Sequence, residues 1–266
     1  MPFITMTTDF GGPAAVMKGV VWRIAPNAQI TDLSYTISPQ NIREAAQMLD
    51  RQVFYFPDST IHMVVVDPGV GTARRPIAAR IGSQLFVGPD NGVFTPMYER
   101  AERHGWPMTI VHTNNSRYWL PDVSHIFHGR DVFSPVTGHL AAGVPLTDLG
   151  PVITDPVRIN LPRPVVSPFR VTGEVSMIFD HFGNIITNIH RDDLAQLGGA
   201  PEALNVRIGA TTIRGMVNTF GERPLGTLIA LIGSSGYVML AVTNGSAAQR
   251  LRPQIGDPVT VEMFVG

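Results

Sequence analysis

From Ile61 to Val66 the chain reads Ile-His-Met-Val-Val-Val, apolar on both faces from Met63 onward. That pattern predicts a central parallel strand covered by helices on either side. The run stops at Asp67, at the carboxyl end where such strands deliver functional side chains. Pro68, Gly69 and Gly71 forbid continuation and let the backbone approach something closely, and Arg74 or Arg75 is placed to fold back over Asp67. Taken alone, this corner is equally an ion-paired strand-to-loop turn and a functional site. The start of the chain repeats it: an apolar strand over 3–7, then Thr8-Asp9-Phe10-Gly11-Gly12.

Helical spacing of Val16, Val20 and Ile24 predicts a helix over 14–24, and a short strand follows over 29–33. Ile42, Ala45, Ala46, Leu49 and Val53 mark an amphipathic helix over 41–54. A hairpin is predicted from 77–81 and 85–87, a turn cluster at Gly88-Pro-Asp-Asn-Gly92, a helix over 93–104 and a strand over 109–112. A polar and aromatic loop from Arg117 to Pro135 leads into a helix over 133–142 capped by Gly143. Strands alternating with helices predict an α/β domain over 1–160 with a mostly parallel sheet. Residues 161–169, with three prolines, read as a stiff linker. Short strands then dominate, over 172–179, 183–189, 204–208, 211–216, 226–232, 236–242 and 258–265, with one helical stretch over 191–197. Residues 170–266 are therefore expected to form an all-β barrel domain.

Composition narrows the function classes. Of 266 residues, 44% are hydrophobic and 15% charged, which describes a well-buried globular protein. A formal net charge of -1 gives no electrostatic case for nucleic acid or an anionic membrane as partner. Without cysteine there are no disulfides, zinc–thiolate sites or iron–sulfur clusters. No apolar run approaches a membrane span and no signal peptide is visible, so the expectation is a cytoplasmic protein. The sparse surface charge favours an oligomer.

Polar residues concentrate at Asp9, the Asp67–Arg75 loop, the His125–Asp131 loop and Asp180-His-Phe-Gly-Asn184. His125 and His128 are two ligands where a metal site needs three or more. Gly69-Val-Gly71 is neither a dinucleotide fingerprint nor a phosphate-cradling loop, and Gly233-Ser-Ser-Gly236 lacks nucleophile-elbow spacing.

Together the ordered motifs Thr8-Asp-Phe-Gly11, Met17-Lys-Gly-Val20, Val66-Asp-Pro-Gly-Val-Gly-Thr72, Gly88-Pro-Asp-Asn-Gly92, Phe127-His-Gly-Arg-Asp131, Phe182-Gly-Asn-Ile-Ile-Thr-Asn188 and Gly233-Ser-Ser-Gly-Tyr237 resemble the S-adenosyl-L-methionine hydroxide adenosyltransferases, relatives of the fluorinase and chlorinase enzymes. The resemblance implies an α/β domain followed by a β-barrel, and a homotrimer with sites between subunits. It also implies cleavage of S-adenosyl-L-methionine by water to adenosine and L-methionine, with no metal or other cofactor. It maps a catalytic set onto Asp67, Arg74 and His128, with Arg75 less favoured than its neighbour. It places Asp9 on the ribose hydroxyls, and Phe182, Phe220, Asn184 and backbone near Asn244 on adenine. The methionine end maps to Asp180 and Ser234, with Ser235 where the halogenases carry an arginine.

The departures choose the branch. Asp67 stands where the halogenases carry a tyrosine, and His128-Gly129 where they carry Tyr-Ser. An aspartate at the pocket wall would repel a halide, so hydrolysis is expected over halogenation. On this reading Asp67 and Arg74 orient a water and His128 takes part in removing its proton. The competing readings are a non-catalytic binder of S-adenosylmethionine or adenosine, a SAM-dependent halogenase, and a nucleosidase releasing adenine.

Overall fold

The computed structural model describes residues 1–12, 14–179, 181–198 and 200–263, and for Phe179 the backbone only. The chain divides into two compact units, Met1–Asn160 and Leu161–Gly266.

The first unit runs β1 (Phe3–Thr8), α1 (Ala15–Ile24), β2 (Gln29–Ser34), α2 (Ile42–Gln52), β3 (Ile61–Val65), β4 (Pro76–Ile81), β5 (Gln84–Pro89), α3 (Thr95–His104), β6 (Met108–His112), α4 (Ser134–Ala141) and β7 (Val152–Ile153). The strands form one sheet in the order β2-β1-β3-β5-β4-β6-β7. Strands β1, β2, β3, β5 and β6 point one way, while β4 and β7 run against them. The sheet is therefore mostly parallel, with its antiparallel pairs on one side. Every residue of β3 is buried, as its two-faced apolar pattern requires. Met6, Met17, Val21, Met63, Val65, Phe133 and Val136 share one core cluster, which packs α1 and α4 on one face of the sheet. Asn41 starts α2 as its cap, its side chain accepting the Glu44 N–H at 3.0 Å.

The helix expected over 133–142 divides in two. Gly129–Phe133 form a single π-helical turn and α4 follows, ending at Gly143 with φ 92°. Such widened turns frequently mark functional sites.

The second unit holds β8 (Val165–Ser167), β9 (Arg170–Phe179), β10 (Asn184–His190), α5 (Arg191–Leu194), β11 (Leu204–Ile208), β12 (Thr211–Ile213), β13 (Leu228–Ile232), β14 (Tyr237–Val242), α6 (Ala247–Leu251) and β15 (Pro258–Met263). These strands pair antiparallel with one another, in the order β12-β11-β15-β9-β10-β14-β13, with β8 on β9. Strand β9 turns the corner of a nearly closed barrel. Arg170–Glu174 pair with β15, and residues 175–179 pair with β10. Gly173 sits at the bend because a Cβ there would lie 2.3 Å from Asn188 Oδ1. Residues 165–167, inside the stretch read as a linker, are β8. The strand expected over 211–216 stops at Ile213, and the expected strand end at Val265 lies outside the described residues.

Candidate active site

Sheet register places two carboxylates side by side. Strands β1 and β3 are parallel neighbours with Thr8 opposite Val65, so Asp9 and Asp67 emerge just past the paired ends. Both line one cavity of about 440 Å³, walled by Phe10, Val65, Val70, Ile126 and Phe127. That volume lies in the range of small-molecule sites. The Phe10 and Phe127 rings meet edge to face, with centroids 5.9 Å apart. Asp9 is held by the Gln40 N–H, which donates to Oδ2 at 2.7 Å, and Gln40 adopts the left-handed φ of 64° to do so. A ligand diol would meet a carboxylate already fixed at one oxygen.

The loop after β3 closes on itself. Val70 N–H donates to Asp67 O at 3.2 Å, and the Thr72 hydroxyl donates to Gly69 O at 2.7 Å and accepts from Arg74 N at 3.3 Å. These turns bring Arg74 back over Asp67. Arg74 Nε donates to Asp67 Oδ1 at 3.1 Å, and Nη2 donates to Oδ2. The side chains of Arg74 and Asp67 are only 7% and 5% exposed. The guanidinium stacks over Phe133, 5.1 Å from the ring centre, and its Nη1 is buried with no partner among the described residues. Arg75 turns the other way, to Asp90 and Asp155. Gly71 needs its freedom for a neighbour in the protein: φ is 77°, and a Cβ would lie 2.4 Å from His125 O. The close approach expected of this loop is thus to the His125 backbone.

His128 precedes the π-helical turn, with its Nδ1 3.1 Å from Arg74 Nη2. A guanidinium has no acceptor, so Nδ1 must be bare and the ring proton must sit on Nε2. Burial and the Arg74 charge hold the imidazole pKa below its ordinary value, against the opposing pull of Asp67 and Asp131. The turn itself is pinned. Asp131 is fully buried and ion-paired with Arg130, and it accepts the Ser124 N–H at 2.9 Å. Gly129 has Val65 Cγ1 and Met17 Sδ each 3.2 Å from where a Cβ would stand. No group of three or more His, Cys, Asp or Glu among the described residues is arranged to hold a metal ion.

The second unit carries the other expected contacts, and Asp180 lies outside the described residues. Phe182 is exposed and meets His181 edge to face at 4.7 Å. Gly183, at φ 66°, packs against Ser246, and its carbonyl accepts the Ala248 N–H at 2.8 Å. This contact joins the turn bearing Phe182 and Asn184 to the turn bearing Asn244, whose φ is 57°. Phe220 is 41% exposed on a short turn closed by a Thr219–Glu222 capping box. Ser234 sits in the β13–β14 turn, where Gly236 packs on His190. That is the opposite end of β10 from Asn184, so Ser234 is not grouped with Phe182, Asn184 and Asn244. Sequence reasoning passed over Phe10, Phe127 and Gln40 as cavity walls. The two rings stood inside quoted motifs, whereas Gln40 holds Asp9 through its backbone and leaves no side-chain signal.

Comparison with known proteins is consistent across both units. The models of the SAM hydroxide adenosyltransferase N-terminal and C-terminal domains match residues 4–150 and 173–260. An (R)-S-adenosyl-L-methionine hydrolase of Salinispora tropica is 39% identical over 98% of this chain and 97% of the relative. The hydrolase of that name from Thermus thermophilus is 38% identical over 95% and 96%. A fluorinase of Actinoplanes sp. is 29% identical over 98% and 97%. A solved structure of an uncharacterized conserved protein from Thermotoga maritima superposes with a TM-score of 0.89 at 35% identity, covering 97% of this chain and 99% of that one. This chain belongs to the SAM hydroxide adenosyltransferase family.

Proposed function

We propose that the protein hydrolyses S-adenosyl-L-methionine to adenosine and L-methionine, and that the (R)-sulfonium epimer is its substrate. The observation that carries this reading is the contact set of Asp67, Arg74 and His128, of which Asp67 lines a cavity of nucleoside size, in a family whose relatives are named for that hydrolysis. Water attacks the 5′ carbon as the carbon–sulfur bond breaks. The sulfur keeps the bonding pair as the thioether of methionine, the oxygen becomes the 5′-hydroxyl of adenosine, and one proton goes to solvent. A sulfonium leaves without acid help, so the task of the site is to hold water in line, and such positioning contributes about 7–11 kcal/mol.

The contact between His128 Nδ1 and Arg74 supports a division of labour other than the expected one. With Nδ1 turned to Arg74, His128 offers an Nε2–H donor, which holds an oxygen in place, and the ring's bare nitrogen is engaged by the guanidinium. Asp67 has lone pairs beyond those facing Arg74 and accepts from the water. Asp9 binds the ribose diol, Phe182, Phe220, Asn184 and backbone near Asn244 hold adenine, and Asp180 and Ser234 take the methionine end. No cofactor or metal takes part. The enzyme works in the cytoplasm as a homotrimer whose sites are completed between subunits. The exposed apolar side chains of Phe10 and Ile126 at the cavity wall fit a surface covered in the assembly.

The test is to incubate the protein with each resolved sulfonium epimer, with and without EDTA, and separate the products by chromatography. Adenosine and methionine from the (R) epimer, unaffected by EDTA, are expected. Adenine would indicate a nucleosidase, a 5′-halogenated nucleoside in the presence of halide a halogenase, and binding without product a sensor. Light scattering should return three times the chain mass.

A further inference from the structure

One motif takes no part in the site as described so far: Gly88-Pro-Asp-Asn-Gly92, at the end of β5. Its two polar residues reach to either side of the Asp67–Arg74 loop. Asn91 Nδ2 donates to Val66 O at 2.9 Å, and Asn91 Oδ1 accepts the Val93 N–H at 3.2 Å. One end of the amide faces a carbonyl and the other an N–H, so its orientation is fixed. Val66 is fully buried, lies past the end of β3 and immediately precedes Asp67.

Asp90 holds the other end. Its N–H donates to Arg75 O at 2.9 Å, and its Oδ2 accepts from Arg75 Nε at 2.8 Å and Nη2 at 2.7 Å. Its Oδ1 accepts the Val157 N–H at 2.8 Å, and the residue is 4% exposed. Arg75 immediately follows Arg74 and is tied further to Asp155, through its side chain at 2.9 Å and its carbonyl at 2.7 Å. Neither Asp90 nor Asn91 lines the cavity.

We propose that Asp90 and Asn91 are positioning residues for the hydrolysis: the turn fixes the residue before Asp67 and the residue after Arg74, and so sets where the two catalytic side chains meet. This inference rests on the proposed reaction. The loop from 67 to 74 is pinned at both ends by two adjacent residues, so a shift of either peptide moves Asp67 against Arg74. A misplacement of about 1 Å can cost on the order of 100-fold in rate without weakening binding.

Asp90→Asn and Asn91→Leu test it. Both are expected to lower kcat about 10- to 100-fold while KM stays within about twofold of wild type. A second readout does not depend on turnover. The charged and titratable groups acting on His128 are Arg74, Asp67, Asp131 and His125, and Asp90 is not one of them. Burial and the Arg74 charge are what lower it, so a rise of the His128 titration toward its ordinary value in either variant, followed by NMR, reports that the packing of His128 against Arg74 has loosened. Variants with wild-type kcat and an unchanged His128 titration, but a lower Tm, overturn the proposal, because the turn is then only structural. Loss of substrate binding in step with kcat overturns it too. If the wild-type protein yields no adenosine, the reaction is wrong, and the His128 titration alone decides whether the turn holds the His128–Arg74 contact in place.

Discussion

Arg74 and Asp67 form a two-pronged ion pair across a loop of their own making, with both side chains more than nine-tenths buried. Removing one member leaves the other charge buried without its partner, which typically costs 3–5 kcal/mol. Arg74→Ala should therefore lower unfolding stability by about that amount as well as abolish turnover, read by urea denaturation beside the adenosine assay. Asp67→Asn keeps the shape and one acceptor. It should lose turnover with substrate binding largely kept, and calorimetric titration with S-adenosylmethionine would expose the alternative.

His128 should set the acid limb of the rate profile. Its folded pKa lies below the ordinary ~6.5, because burial and Arg74 disfavour the imidazolium. The neutral ring, with Nδ1 free to accept from Arg74, is the working form. Activity should hold at neutral pH and fall as pH drops through that lowered value, when protonated Nδ1 faces a guanidinium. In His128→Ala the rate should be low and that limb should vanish. An unchanged limb would remove the histidine from the mechanism.

Gly71 and Gly69 should respond differently to the same substitution. Gly71→Ala puts a Cβ 2.4 Å from the His125 carbonyl on a left-handed backbone, where handedness alone costs about 1–2 kcal/mol. It should destabilise by at least that much and depress kcat, since Gly71 lets the loops carrying Arg74 and His128 touch. At Gly69 the nearest atom to an added Cβ is 3.5 Å away, an ordinary contact, so Gly69→Ala should be mild. Paired urea melts and rates decide it.

His62, buried in β3, should make the fold acid-sensitive. Its Nδ1 lies 2.8 Å from the Thr5 hydroxyl, and burial pushes its pKa down to about 4, with the Gln84 side chain opposing. The unfolded chain takes up the proton near pH 6.5 and the folded chain only near 4. Stability is thus full above 6.5 and falls between those values, by roughly 3 kcal/mol at 1.36 kcal/mol per pH unit. Urea midpoints across pH 4–7 should show this slope in wild type and a flatter one in His62→Phe.

Element type was legible wherever one period dominated the sequence. The two-faced apolar run of β3 could only be a covered strand, and the acid after it had to fall at the carboxyl end of the sheet. The alternation in 204–208 likewise fixed a strand, because burial of one face needs no distant partner to be recognised. Other features depended on neighbours that sequence does not name. Arg74 and Arg75 are adjacent cations of equal propensity, and only the turns of the 67–75 loop send one to Asp67 and the other to Asp90. The glycine at 71 announced a close approach without naming its partner, and that neighbour is the His125 carbonyl, more than fifty positions away in sequence. The bend of β9 between two partners, the strand within a proline-rich stretch and the π-helical turn after His128 arise from packing, which no local period encodes. The family motifs named the side chains for the chemistry; the contacts that aim them, Gln40 on Asp9 and Asn91 on Val66, run through backbone groups that every residue possesses, and only the folded chain selects which ones meet.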